Sequence, residues 1–185
     1  MTQKGESFWQ TDFISDYLRF TRSDSFNYIT MFLRLLKNYE LRFLYFGRKY
    51  QNAKNKISKK FYKIISNHYR KRYGLEITFN KVGYGLKLIH PWGITVNANA
   101  VIGNNVTIFK GVTIGQVHEG KRPGNPTIGD NVTICANATV CGNVLVGNNS
   151  MIAAGAFVNF DVPDNSIVIG NPGQIHKKKE HTKEY

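Results

Sequence analysis

Cysteine is almost missing from these 185 residues, with only Cys135 and Cys141 present. Two thiols exclude a disulfide framework. Each sits in the small-residue slot behind a repeat aliphatic, where packing is the expected role rather than a covalent bond or a metal. A long apolar run is missing too. Arg34 and Lys37 interrupt the best stretch, from Ile29 to Leu36, so nothing approaches the roughly 18 apolar residues that a membrane span needs. The opening MTQKGESFWQ lacks the charged-then-apolar plan of a secretory leader, and a cytoplasmic location is expected. Acidic side chains are absent from Leu41 to Leu75, a stretch that holds 11 Lys and Arg.

What is present is unevenly charged. The net charge of +13 divides into +11 for residues 1–74, where 16 basic face 5 acidic residues, and +2 for the rest, where 9 face 7. The first part is therefore expected to be drawn to anionic surfaces, and an anionic membrane is a candidate peripheral partner at the inner membrane face. No nucleic-acid motif accompanies the charge, so no nucleic-acid partner is expected. A hydrophobic content of 42% supports a packed core. Residues 11–74 read as helices: Ile57, Phe61, Ile64 and Ile65 share one face, and Tyr28, Met31, Phe32, Leu35 and Leu36 form a second stripe. Ser23, Asp24 and Ser25 offer a start for that second helix, and Gly74 a stop for the last.

From Val82 the texture changes. Aliphatics recur at Val82, Leu88, Val96, Ile102, Ile108, Ile114, Ile128, Ile134, Val140, Val146, Ile152 and Val158, nearly always in steps of six. Asn104-Asn105, Asp130-Asn131 and Asn148-Asn149 supply turn residues that tolerate the left-handed backbone region. Three short strands and three turns close a triangular coil, and stacked coils line a continuous apolar core, so the period predicts a parallel β-helix of about four coils. Two steps break the period. Extra residues surround His90, and a loop, GQVHEGKRPGNPT, is extruded over residues 115–127. Interruptions of a regular scaffold are where sites are built.

The segments LIHPWGITVNANAVIGNNVTIFKGVTIG, NPTIGDNVTICANATVCGNVLVGNNSMIAAGAFV and VIGNPGQI resemble the hexapeptide-repeat acyltransferases, in their serine acetyltransferase branch. The resemblance covers roughly residues 75–175. It implies a mainly β protein, a left-handed parallel β-helix at 76–175 preceded by a short basic helical region at 1–75 and followed by a basic tail at 176–185. It also implies a homotrimer with sites between subunits, acetyl-CoA as co-substrate and no metal. On this resemblance His90 is the catalytic base, since an imidazole titrating near neutrality can take the proton of an attacking alcohol. Glu76 is the carboxylate that orients it, in place of the family's Asp. Gln116, Ala136 and Ala154 match positions whose backbone holds the pantetheine arm. Lys121, Arg122 and the tail Lys177, Lys178 and Lys179 are candidates for the CoA phosphates.

Where the family carries Asp before the histidine and Arg-His in the loop, this chain has Ile89 and Gly124-Asn125. A free amino acid needs charged partners for both its ends, and these departures remove expected ones. Trp92 offers an aromatic face to a sugar ring, with Asn125 as a second acceptor contact. The expected reaction is therefore acetyl transfer from acetyl-CoA to a sugar hydroxyl of a surface polysaccharide or its precursor, closest to the polysaccharide O-acetyltransferases. Serine O-acetylation in cysteine biosynthesis is the alternative, and a non-catalytic trimeric scaffold with a basic membrane- or nucleic-acid-binding arm is the alternative of another class. A γ-class carbonic anhydrase on the same scaffold would need three histidines, and only His90 and His118 fall within the coils and their loop.

Overall fold

The computed structural model describes residues 8–177; Lys178, Lys179 and His181 lie outside the described residues. Four helices come first: α1 (Phe8–Thr21), α2 (Tyr28–Lys37), α3 (Tyr39–Gln51) and α4 (Lys56–Tyr73). The start of α2 is set by Asn27, beyond the Ser23–Ser25 cluster, because its amide oxygen accepts from Ile29 N–H and Thr30 N–H. Gly74 ends α4 in the left-handed conformation at φ 63°, as the sequence predicts.

Short strands follow: β1 (Glu76–Ile77), β2 (Lys87–Ile89), β3 (Thr95–Val96), β4 (Val101–Ile102), β5 (Thr107–Phe109), β6 (Thr113–Gly115), β7 (Thr127–Ile128), β8 (Thr133–Ile134), β9 (Thr139–Cys141), β10 (Leu145–Val146), β11 (Met151–Ile152), β12 (Phe157–Val158), β13 (Ser166–Ile169) and β14 (Gln174–Lys177). They form three sheets: β1-β3-β6-β9-β12, β4-β7-β10, and β2-β5-β8-β11-β13-β14. Single bridges at Val82 and Val162 extend the second sheet. Pairing is parallel throughout except for β14, which runs antiparallel to β13. This is a parallel β-helix.

Each sheet sends one aliphatic per layer into the interior. The columns are Ile77, Val96, Ile114, Val140 and Val158; Val82, Ile102, Ile128, Val146 and Val162; and Leu88, Ile108, Ile134, Ile152 and Val168, all buried. The stack therefore has five layers rather than about four. Ile77 and Val162 escape a strict count of six because the turns at the two ends are shorter than those between them, and Val168 follows Val162. One corner is held by a side-chain ladder. Asp130 Oδ1 accepts from Asn104 N–H, Asn148 Oδ1 from Asp130 N–H and Asp164 Oδ1 from Asn148 N–H, each at 2.7 Å. The residues that follow, Asn105, Asn131, Asn149 and Asn165, all have φ near +55°, a region in which asparagine is the cheapest side chain after glycine.

The helices share one hydrophobic core with the coils. Gly47 lets α3 touch the first coil, because a Cβ there would lie 2.2 Å from the Phe79 ring. Arg48 and Asp16, both fully buried, form a two-pronged ion pair at 2.8 and 2.9 Å. Arg48 also donates to Val82 O and Gly83 O, and Leu86 N–H donates to Asp16 Oδ1. The buried pair is thus tied to the coil backbone on both sides, by the carboxylate and by the guanidinium. By contrast, Ile57, Phe61 and Ile64 on α4 face outward, and of that stripe Ile65 alone packs on the core.

Candidate active site

His90 lies at the corner between the third sheet and the first, just after β2. Ile89 pairs with Phe109. Gly111 N–H then donates to Trp92 O, as Asn137 N–H does to Lys110 O and Gly155 N–H to Ala136 O. Trp92, Lys110, Ala136 and Ala154 therefore occupy one equivalent position in four successive coils. His90 and Pro91 are the two residues that this ladder skips, which explains the eight-residue step from Leu88 to Val96. His90 bulges out of the corner while Pro91 is buried: His90 is exposed with φ 48°, and Trp92 N–H closes a turn onto His90 O at 2.8 Å. A left-handed backbone costs a residue with a Cβ about 1–2 kcal/mol. Such strain placed on a chemically capable side chain points to function.

Trp92 is 54% exposed. Its indole stands edge-on to Tyr73 at 5.2 Å and to Tyr39 at 6.3 Å, and those two rings stack on each other at 4.2 Å. Burial, with the Glu40 charge second, pushes the Tyr39 phenol up, so it stays a neutral packing partner. The aromatic face beside His90 is thus braced by α3 and α4 of its own chain.

Glu76 does not meet His90 within the chain. Its carboxylate accepts from Arg70 Nε at 3.0 Å on the exposed side of β1. With Gln116, His118, Lys63, Asn97 and Arg70 it lines a cavity of about 560 Å³ between α4 and the sheet β1-β3-β6. Gln116 is linked to Asn97 Nδ2 at 3.4 Å. Ala136 and Ala154 lie above Trp92 and Lys110 along the corner, with backbone N–H groups that donate to no carbonyl of the described chain.

The extruded loop springs from the opposite edge of the first sheet, after β6. Its base is zipped by Val117 and Gly124, which exchange two backbone hydrogen bonds. Lys121 and Arg122 border a groove with Cys141, Gly142, Phe157 and Asn159. Arg122 is partly committed: it donates to Asp161 Oδ2 at 2.8 Å, and that bond, with Leu145 N–H second, holds the Asp161 carboxyl below the usual range. Lys121 stays exposed. Asn125 Oδ1 is buried without a hydrogen-bond partner, an oxygen that lacks its donor in the single chain. Lys177, at the end of β14, is exposed.

Both cysteines are free, and burial pushes each thiol up, in keeping with packing rather than nucleophilic roles. Among the described residues no three His, Cys, Asp or Glu side chains gather as a metal would need. Sequence reasoning missed Lys110, the braces Tyr39 and Tyr73, and the grip of Arg70 on Glu76. Lys110 was findable, since it stands one coil of eighteen residues after Trp92, the spacing that separates Ala136 from Ala154.

This architecture matches known proteins. The family signature described as bacterial transferase hexapeptide (six repeats) covers residues 125–159. Serine acetyltransferase of Bacillus subtilis is 40% identical over 121 residues, 63% of this chain and 56% of that protein. Neisseria gonorrhoeae serine acetyltransferase in complex with serine superposes with a TM-score of 0.65 at 31% identity, over 91% of this chain and 67% of the other. A serine acetyltransferase in complex with CoA gives 0.70 at 25% identity, over 91% and 67%. The chain belongs to the hexapeptide-repeat acyltransferases, in the serine acetyltransferase branch, and its coils are the left-handed β-helix of that branch. It spans about half the length of the Bacillus subtilis relative. The expected closeness to polysaccharide O-acetyltransferases is not supported: the matching relatives and structures are named serine acetyltransferases.

Proposed function

We propose that the protein is an acetyl-CoA-dependent O-acetyltransferase of the cytoplasm, assembled as a homotrimer, with His90 as general base and serine as the first acceptor to test. The observation that carries this is the bulged, exposed, left-handed His90 at the foot of the ladder Trp92, Lys110, Ala136, Ala154. In this reading the imidazole takes the proton of the acceptor hydroxyl as its oxygen attacks the thioester carbonyl. The tetrahedral intermediate then collapses with loss of CoA thiolate, which the imidazolium reprotonates. The backbone of Gln116, Ala136 and Ala154 lies along the pantetheine arm, and Lys121, Arg122 and Lys177 lie toward the phosphates.

The need for a trimer is supported by the loop and His90 springing from opposite edges of the first sheet. In this reading Lys121 and Asn125 approach the imidazole of a neighbouring chain. Glu76 is assigned the orienting role within that assembly. Serine is further supported by Lys110, an exposed cation one coil from Trp92 that suits the acceptor's carboxylate. A carbohydrate hydroxyl is the second reading, favoured by the exposed and braced Trp92 face. Thiol release from acetyl-CoA, measured in parallel with serine and with simple sugars, tests both. His90→Ala is expected to lower kcat by about 100- to 10,000-fold with folding unchanged. Equal rates for wild type and His90→Ala would end this reading, and absence of turnover with every acceptor would favour the non-catalytic scaffold.

A further inference from the structure

Two helical stripes are not absorbed by the site. On α2, Tyr28, Ile29, Phe32, Leu33 and Leu36 are each more than half exposed, Ile29 at 72%, while Met31 and Leu35 on the other side pack partly buried on the core. Arg34 and Lys37 flank this face in its last turn. On α4, Ile57, Phe61 and Ile64 follow at spacings of four and three, exposed by 85, 56 and 62%. They lie on the side of α4 away from Tyr69, the residue this helix buries. Lys56, Lys60, Lys71 and Arg72 of the same helix are all exposed as well. Water is a poor environment for eight large apolar side chains on two short helices, and patches of this kind mark interaction surfaces.

The surrounding charge selects the occupant. A second copy of the chain would bring lysines against lysines, at a cost of like-charge repulsion in each pair. An anionic bilayer satisfies both features, since apolar side chains enter the acyl boundary while the cations sit among phosphates. Among the described residues no helix is long and apolar enough to cross a membrane, so these helices would lie in the interfacial plane. We propose that the helical region is a docking surface for an anionic lipid bilayer, engaged through the outward stripes of α2 and α4. The inference is independent of acetyl transfer and stands or falls without it.

Sedimentation of the full chain with vesicles tests it, using equal parts of phosphatidylglycerol and phosphatidylcholine against phosphatidylcholine alone. Wild type is expected to pellet with the anionic vesicles only, less so as salt rises. The double variants Phe32→Glu/Leu36→Glu and Phe61→Glu/Ile64→Glu are expected to weaken binding at least tenfold. Neutralising a lysine of α4, as in Lys60→Gln, is expected to cost about fivefold. Because all these side chains are exposed, unfolding transitions and thiol release should be unchanged, which separates docking from misfolding. Absence of wild-type pelleting at low salt, or equal pelleting of wild type and both double variants, would overturn the proposal. A fall in solution mass in the double variants, without wild-type vesicle binding, would assign the face to a second copy instead.

Discussion

In the proposed reaction a single imidazole and its nearest neighbours carry the chemistry. Glu76 holds only an exposed pair with Arg70, and such pairs contribute about 0–1 kcal/mol to folding. Glu76→Gln is therefore a clean probe: its melting temperature should match wild type. If the carboxylate orients His90 across the trimer, kcat should fall about 10- to 100-fold at constant KM. Lys110→Ala reads the acceptor instead. With serine, KM is expected to rise about tenfold while kcat holds, whereas a neutral sugar acceptor would show no change. The interruption at His90 was legible because the hexapeptide count fails there. Its bulged conformation was not, since only the hydrogen bond from Gly111 to Trp92 reveals which two residues the ladder omits. Glu76 shows the opposite limit: the resemblance offered a carboxylate, and within the single chain it is held by Arg70, six residues earlier on α4.

Among the elements, the extruded loop and the asparagine corner are the informative ones. Arg122 pins the loop to Asp161, whose carboxyl is held low. A carboxyl with a depressed folded pKa stabilises above its unfolded pKa, and that contribution is lost as pH falls through the folded value. Proteolysis of residues 115–127 is therefore expected to quicken in acid below the ordinary carboxylate range, and Asp161→Asn should show the faster cleavage already at neutral pH. At the corner, Asp130→Ala leaves the Asn104 N–H without its acceptor, and a loss of about 1–3 kcal/mol in denaturant unfolding is expected. The helices were legible as helices, yet the stripe Ile57, Phe61 and Ile64 turned out to face solvent. Periodicity identifies an apolar face without saying what covers it.

For the molecule as a whole, the buried Asp16–Arg48 pair binds α1 and α3 to the first coil, so the helical and repeat segments should unfold together. Removing one partner strands the other charge in the interior, and Arg48→Ala is expected to cost about 3–5 kcal/mol. Calorimetry should then show a single transition, lowered as a unit; two separated transitions would contradict the shared core. The repeat count was legible to within one layer, and the missing layer lies where the end turns shorten.

The reversed strand β14 carries a last consequence. Parallel coils end in bare strand edges, and such edges invite another molecule to continue the pattern into a fibre. Here β14 lies against β13 in the wrong direction for a sixth coil, and the Gly170–Gly173 segment bonds to Phe157 beside it. With helices seated on the opposite end, this spiral is stopped at both tips, and growth in number is left to its flanks.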